Sequence, residues 1–148
     1  MSGDGYVIKG IFSGLTPAEK LYLISHPTHI LAIKEAADFA LAEAVRRFRG
    51  AGLHNGQGDA FRHCLWSALM ARDIGAANAL MFSTAHEAYS ANPPGEREMD
   101  LHNNSVGIGI GMTNPNASNA ELAALCQSAL DRGQLMLQPG VPGEPYPY

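Results

Sequence analysis

The 148-residue sequence predicts an all-α fold, a single compact bundle of five or six helices. Three observations carry this. Apolar residues recur three and four apart through long alanine- and leucine-rich stretches. Capping residues and prolines mark where helices start, and glycines mark where they stop. One stretch is ambiguous: Gly107-Ile-Gly-Ile-Gly111 is poor helix material, which leaves open a short irregular or β segment at residues 106–112 in place of continued helix.

The elements follow in order. Thr16-Pro17-Ala18-Glu19 sets a capping hydroxyl, a proline at the first helical position and a glutamate at the third, so a helix starts here and stops near Ser25, before Pro27. Thr28 is placed to cap the next helix, to about Arg49. In it Ile30, Ile33, Ala37, Ala40, Leu41, Ala44, Val45 and Phe48 make one apolar stripe. A loop through Gly50-Ala-Gly52 to Gly58 follows. The third helix, about Asp59 to Gly75, is apolar over most of its circumference (Phe61, Cys64, Leu65, Trp66, Ala68, Leu69, Met70) and is expected at the centre. A fourth runs from about Ala76 to Ser90, and Asn92-Pro-Pro-Gly95 makes a turn. The polar spacing after Glu96 fits a fifth helix. Asn114-Pro-Asn-Ala117 turns into a last helix capped by Ser118 or Asn119 and stopped at Gly133. The helical core spans about residues 15–137, and the proline-rich tail 138–148 is extended.

Size and composition narrow the function. A chain of this length most simply forms one domain and buries roughly two thirds of its unfolded surface, so it needs no metal or disulfide to fold. The net charge of −4 argues against a general nucleic-acid binder. Arg46, Arg47 and Arg49 suit the dipole at a helix end. Cys64 and Cys126 lie on apolar helical faces and read as buried free thiols. No run is long enough to span a bilayer, and the N-terminus has no signal-peptide pattern. The expectation is synthesis in the cytoplasm, with any export by a signal-independent secretion system.

The chemistry is concentrated in three polar clusters: Asp59-Ala-Phe-Arg62-His63, His86-Glu87, and Asp100-Leu-His102-Asn103-Asn104. Asp59 and His63 are four apart and share a helical face. Asp100, Asn103 or Asn104, and Gly107 form a polar stripe ending in bare backbone, where a neighbouring helix or a ligand can come close. Three helices could thus present polar groups to one point. His63, His86, Glu87 and Asp100 are the central catalytic candidates, with Glu87 the best general acid or base and Asp59 orienting His63. Arg62, Asn103 and Asn104 are candidates for holding substrate or supporting the site. His63, His86 and Asp100 are also candidate ligands for one divalent metal ion. Each residue has a plainer reading. Asp59 would be an N-cap, His63 a core histidine, and Glu87 an ion-pair partner of Arg62 or Arg97; Asn103 and Asn104 would bridge buried backbone. His102 is read as peripheral, and His26, His29 and His54 receive no role.

The motifs Asp59-Ala-Phe-Arg-His-x-x-Trp66, Ala85-His-Glu87 and Met99-Asp-Leu-His-Asn-Asn-x-x-Gly107 resemble those of an uncharacterised bacterial domain family. Its members occur in secreted proteins, lipoproteins and polymorphic-toxin-type proteins. The resemblance extends from Ser25-His-Pro27 to Leu130-Asp-Arg-Gly-Gln-Leu135, roughly residues 15–137. The family usually has an arginine after the last glycine; Ile108 stands there in this chain. The resemblance and the clusters together lead to a small bacterial hydrolase, an antibacterial effector or toxin domain, with an immunity or delivery protein as partner. One alternative is a lysozyme-like peptidoglycan glycosidase with Glu87 as general acid ahead of a glycine-rich hairpin. The other is a non-enzymatic binding module whose polar clusters form a structural network.

Overall fold

The computed structural model describes residues 15–49, 56–87 and 94–137. Six α-helices and one 3₁₀ turn make up these residues, with no strand among them: α1 (Pro17–Ser25), the 3₁₀ turn Pro27–His29, α2 (Ile30–Phe48), α3 (Gln57–Ile74), α4 (Ala76–Glu87), α5 (Pro94–Thr113) and α6 (Asn119–Asp131). The predicted all-α bundle is therefore what the chain forms. The proline-rich tail, the loop at 50–55, His54 and the expected end of the fourth helix at Ser90 lie outside the described residues.

The start of α1 is the predicted capping box. Thr16 Oγ1 accepts from Glu19 N at 3.1 Å, and Glu19 Oε1 accepts from Thr16 N at 2.9 Å. The Thr16 hydroxyl also donates to Ala85 O at 2.8 Å, which ties the beginning of α1 to the end of α4. Thr28 does not cap α2. Pro27 opens a 3₁₀ turn that feeds directly into the helix, so the cap position falls to His29, already in helical conformation and without a side-chain cap bond. The buried face of α2 is also narrower than the predicted stripe. Ile33, Ala36, Ala40 and Ala44 are buried, whereas Leu41 and Val45 are 46% and 43% exposed. A ridge of alanines lets α3 approach closely and leaves the bulkier flanks uncovered.

As expected from its composition, α3 is central: it packs against α2, α4, α5 and α6, most extensively against α5. Phe61, Leu65, Leu69 and Met70 are wholly or almost wholly buried and form one apolar core with Leu23 of α1 and Leu122 of α6. Cys64 and Cys126 are buried and free.

Of the two readings of residues 106–112, helix or a short irregular or β segment, the helix is what forms. α5 runs unbroken from Pro94 to Thr113, and Gly95, expected in a turn, is helical. The glycines are there for proximity. A Cβ on Gly107 would lie 2.0 Å from Cys64 O, and one on Gly111 2.2 Å from Ala68 O. Without side chains at these two positions, α5 rests directly on the backbone of α3. Packing overrides the low helix propensity of glycine, which is a modest cost per residue. The close seam also fixes the register by which Asn104 and Asp100, about one and two turns earlier, face the first half of α3.

Candidate functional site

Three of the helices converge as their polar spacing predicts. α3 supplies Asp59, Arg62 and His63 from its first two turns. Asp59 is not the N-cap, a position taken by Gly56; it sits within the first turn, where the positive end of the helix favours a carboxylate. α4 supplies Glu87 at its last described residue, and α5 supplies Asp100 and Asn104.

His63 is the hub. Its Nε2 lies 3.3 Å from Asp59 Oδ1 and 3.4 Å from Asp100 Oδ1, and its Nδ1 lies 3.8 Å from Glu87 Oε1. All four side chains are buried. Arg62 Nη2 donates to Asp59 Oδ1 at 2.8 Å. Asn104 Nδ2 donates to Glu87 Oε1 at 3.3 Å, and Asn104 Oδ1 accepts from Ser67 Oγ at 3.1 Å. Two atoms at the centre are fully buried without a hydrogen-bond partner among the described residues: His63 Nδ1 and Asp100 Oδ1.

Three carboxyl groups held this close cannot all ionise without cost. Burial raises the Glu87 carboxyl above the usual range; the charge of His86 and hydrogen bonds from Asn104 and Asp100 oppose this, and nearby Asp59 adds to it. Burial pushes Asp100 up to about 7, against the pull of His63 and with the repulsion of Glu87 and Asp59. Two neighbouring carboxyls that are both pushed upward favour holding a proton between them.

His86 stands beside this group. Its Nδ1 lies 3.0 Å from Glu19 Oε2, and its ring centroid is 6.5 Å from that of His63. Burial works to lower its pKa, but the hydrogen bond and charge of Glu19, with the charge of Glu87, leave it raised. The set His63, His86 and Asp100, grouped in the sequence as metal ligands, is divided: the ligating atom that joins His63 and Asp100 comes from Asp59. Asn103 is also drawn elsewhere. Its amide donates to Met136 O at 2.9 Å and accepts from Met136 N at 2.8 Å. His102 is peripheral as read, with Nε2 donating to Gln134 O at 2.8 Å. His26, given no role, stacks on Tyr22.

A cleft of about 440 Å³ opens over this centre. His63, His86, Arg62 and Glu19 give it polar groups; Leu15, Leu23, Ile30, Ile33, Trp66 and Phe82 give it apolar walls, and Lys34 and Asp38 also line it. Only His63 belongs both to the cleft lining and to the Asp59–Glu87–Asp100 group. Glu19, Trp66 and Ser67 were not foreseen as parts of the site. Glu19 was recognisable only as a capping residue, yet one oxygen caps α1 while the other holds His86.

Residues 20–134 match a domain of unknown function, DUF6973. No solved structure matches the chain.

Proposed function

The chain belongs to the DUF6973 family, and from its geometry we propose that it is a small hydrolase whose reaction centre is His63 with Asp59, Glu87 and Asp100. One observation carries the reading: a single buried imidazole lines a substrate-sized cleft and is at the same time surrounded by three carboxyl groups. Pockets of this volume and largely apolar lining hold small organic ligands, and carboxyls crowded in a dry environment are suited to proton exchange near neutral pH. In the proposed reaction a water activated at the centre attacks the scissile bond. Its proton passes through His63, which lines the cleft, to Glu87 and the carboxyl cluster, and is returned to the leaving group. Arg62 steadies Asp59, Asn104 steadies Glu87, and the aliphatic walls receive an apolar portion of the substrate.

The test is hydrolysis of p-nitrophenyl acyl esters, p-nitrophenyl phosphodiesters and purified peptidoglycan by the purified chain. Glu87→Gln and His63→Ala are each expected to lower turnover by at least ~10²-fold, the scale of a lost acid–base group, with helicity and melting temperature retained. No turnover above that of Glu87→Gln on any of these substrates would sink the proposal. The antibacterial effector setting suggested by the motif resemblance, with an immunity or delivery partner, belongs to the same reading. It predicts growth arrest on expression of the chain and relief by Glu87→Gln.

The muramidase version is less well supported. Glu87 does lie on a helix, but the stretch that would form the hairpin is helical too. The binding-module reading draws on a different observation, the exposure of Leu21 and Ile24 on α1 and Leu31 on α2 at 66%, 71% and 63%. It would be favoured if both variants above lost their fold.

A further inference from the structure

Asp59 and His63 are one turn apart on α3, and Asp100 faces them from α5. One ligating atom of each residue lies within 4.8 Å of the other two, and His63 Nε2 lies 3.3 Å from Asp59 Oδ1 and 3.4 Å from Asp100 Oδ1. We infer that these three side chains form a binding site for one divalent transition-metal ion, zinc being the best match, with a coordination position left for water. This rests on the hydrolase reading for what the ion would do, and on geometry alone for its binding.

Two distances give the first argument. The separations of 3.3 and 3.4 Å from Nε2 are long for good hydrogen bonds. They equal the spacing of neighbouring ligands around a tetrahedral ion: bonds of about 2.0–2.1 Å place ligand atoms about 3.3–3.4 Å apart. An octahedral magnesium or manganese site with bonds near 2.1 Å would draw them to about 3.0 Å. Two carboxylates and an imidazole also suit zinc better than a soft metal.

The two unsatisfied atoms give the second argument. Asp100 Oδ1 is fully buried, points at His63 Nε2 and accepts no hydrogen bond from the described residues. Such an oxygen has lost its hydration without a replacement, and a cation would supply one. If Nε2 ligates the ion, the ring proton must sit on Nδ1, the other buried atom without a partner. That atom faces Glu87 Oε1 at 3.8 Å. A carboxylate behind the second nitrogen is the usual support of a metal-bound histidine. Arg62 donates to Asp59 Oδ1, and carboxylates that ligate a metal are themselves commonly hydrogen-bonded. A single ion thus accounts for the unsatisfied Asp100 Oδ1 and for the convergence of negative charge on Nε2. Water bound there would ionise more readily.

The experiment strips the full chain with a chelator and titrates Zn²⁺ against a chromophoric competitor, with Asp100→Asn and His63→Ala in parallel. One equivalent is expected for the parent chain, with affinity lowered at least ~10-fold in each variant. Cobalt substitution of the parent chain should show X-ray absorption from one imidazole with oxygen donors and no sulfur, a readout that needs no variant to fold. Failure of the stripped parent chain to take up Zn²⁺ overturns the site, as does equal affinity in folded Asp100→Asn or sulfur in the cobalt shell. The two readings fail separately. Hydrolysis that survives chelation with no metal bound removes the ion and keeps the hydrolase. Metal uptake without turnover of any substrate keeps the ion and removes the hydrolase.

Discussion

Asn103 and Asn104 are adjacent, equally buried and alike in chemistry, yet they serve different structures. Asn104 hangs between Ser67 and Glu87 inside the carboxyl group, whereas Asn103 makes two hydrogen bonds to the backbone of Met136. Successive helical residues point about 100° apart, so one turn of α5 faces the site and the chain's closing segment at once. The sequence-level role of Asn104 as support for the site fits this geometry. For Asn103 the plainer reading, a bridge to buried backbone, describes its contacts. Asn103→Ala should therefore cost about 1 kcal/mol, since it removes two part-buried hydrogen bonds to the Met136 backbone, and should leave kcat on any substrate within about twofold of the parent. Chemical denaturation beside steady-state kinetics measures both; a large fall in kcat with unchanged stability would place Asn103 in the site instead.

At the scale of the elements, the seam between α3 and α5 decides the architecture, and it is where sequence reasoning left two readings open. Glycine at 107, 109 and 111 reads as helix-breaking because propensity measures an isolated chain. The seam shows two kinds of glycine. Gly107 and Gly111 lie against carbonyls of α3, whereas a Cβ on Gly109 would meet nothing within 4 Å. Gly107→Ala should push the helices apart and destabilise by at least ~2 kcal/mol, beyond the usual gain of alanine over glycine in a helix. Gly109→Ala should stabilise by about 0.5–1 kcal/mol. Thermal melts of the two variants check this, and similar effects at both positions would show that proximity is not what the glycines provide. The other elements were legible because their signals are local: the box at Thr16–Glu19, the cap at Ser118, whose hydroxyl accepts from Glu121 N, and the apolar circumference of α3. The width of the α2 face was not legible, since it depends on how much of the ridge a partner covers.

For the whole molecule, the candidate site was legible as a set of residues but not as an arrangement. The i, i+4 spacing of Asp59 and His63 and the stripe through Asp100 and Asn104 survive folding intact, being properties of single helices. The partition of His86 from the other candidates is not such a property. It depends on α1 returning to lie on α4, which brings Glu19 within 3.0 Å of the imidazole across 67 residues of sequence. Glu19 then braces two distant segments, and the brace depends on protonation. With its pKa raised in the fold, His86 contributes stability that is fully present below the unfolded value near 6.5 and is lost as pH climbs through the higher native value. The imidazole is 43% exposed at the side chain, so solvent screens the pair and its worth is that of a modest surface ion pair. Glu19→Gln keeps a side-chain oxygen for Thr16 N but removes the charge. Its melting temperature should fall below the parent's by about 1–4 °C near pH 5.5. The gap should narrow as pH climbs through the raised native value and His86 loses its charge in the parent. A gap that stayed constant across this range would mean that Glu19 acts through its cap alone and that α1 and α4 are not joined by charge.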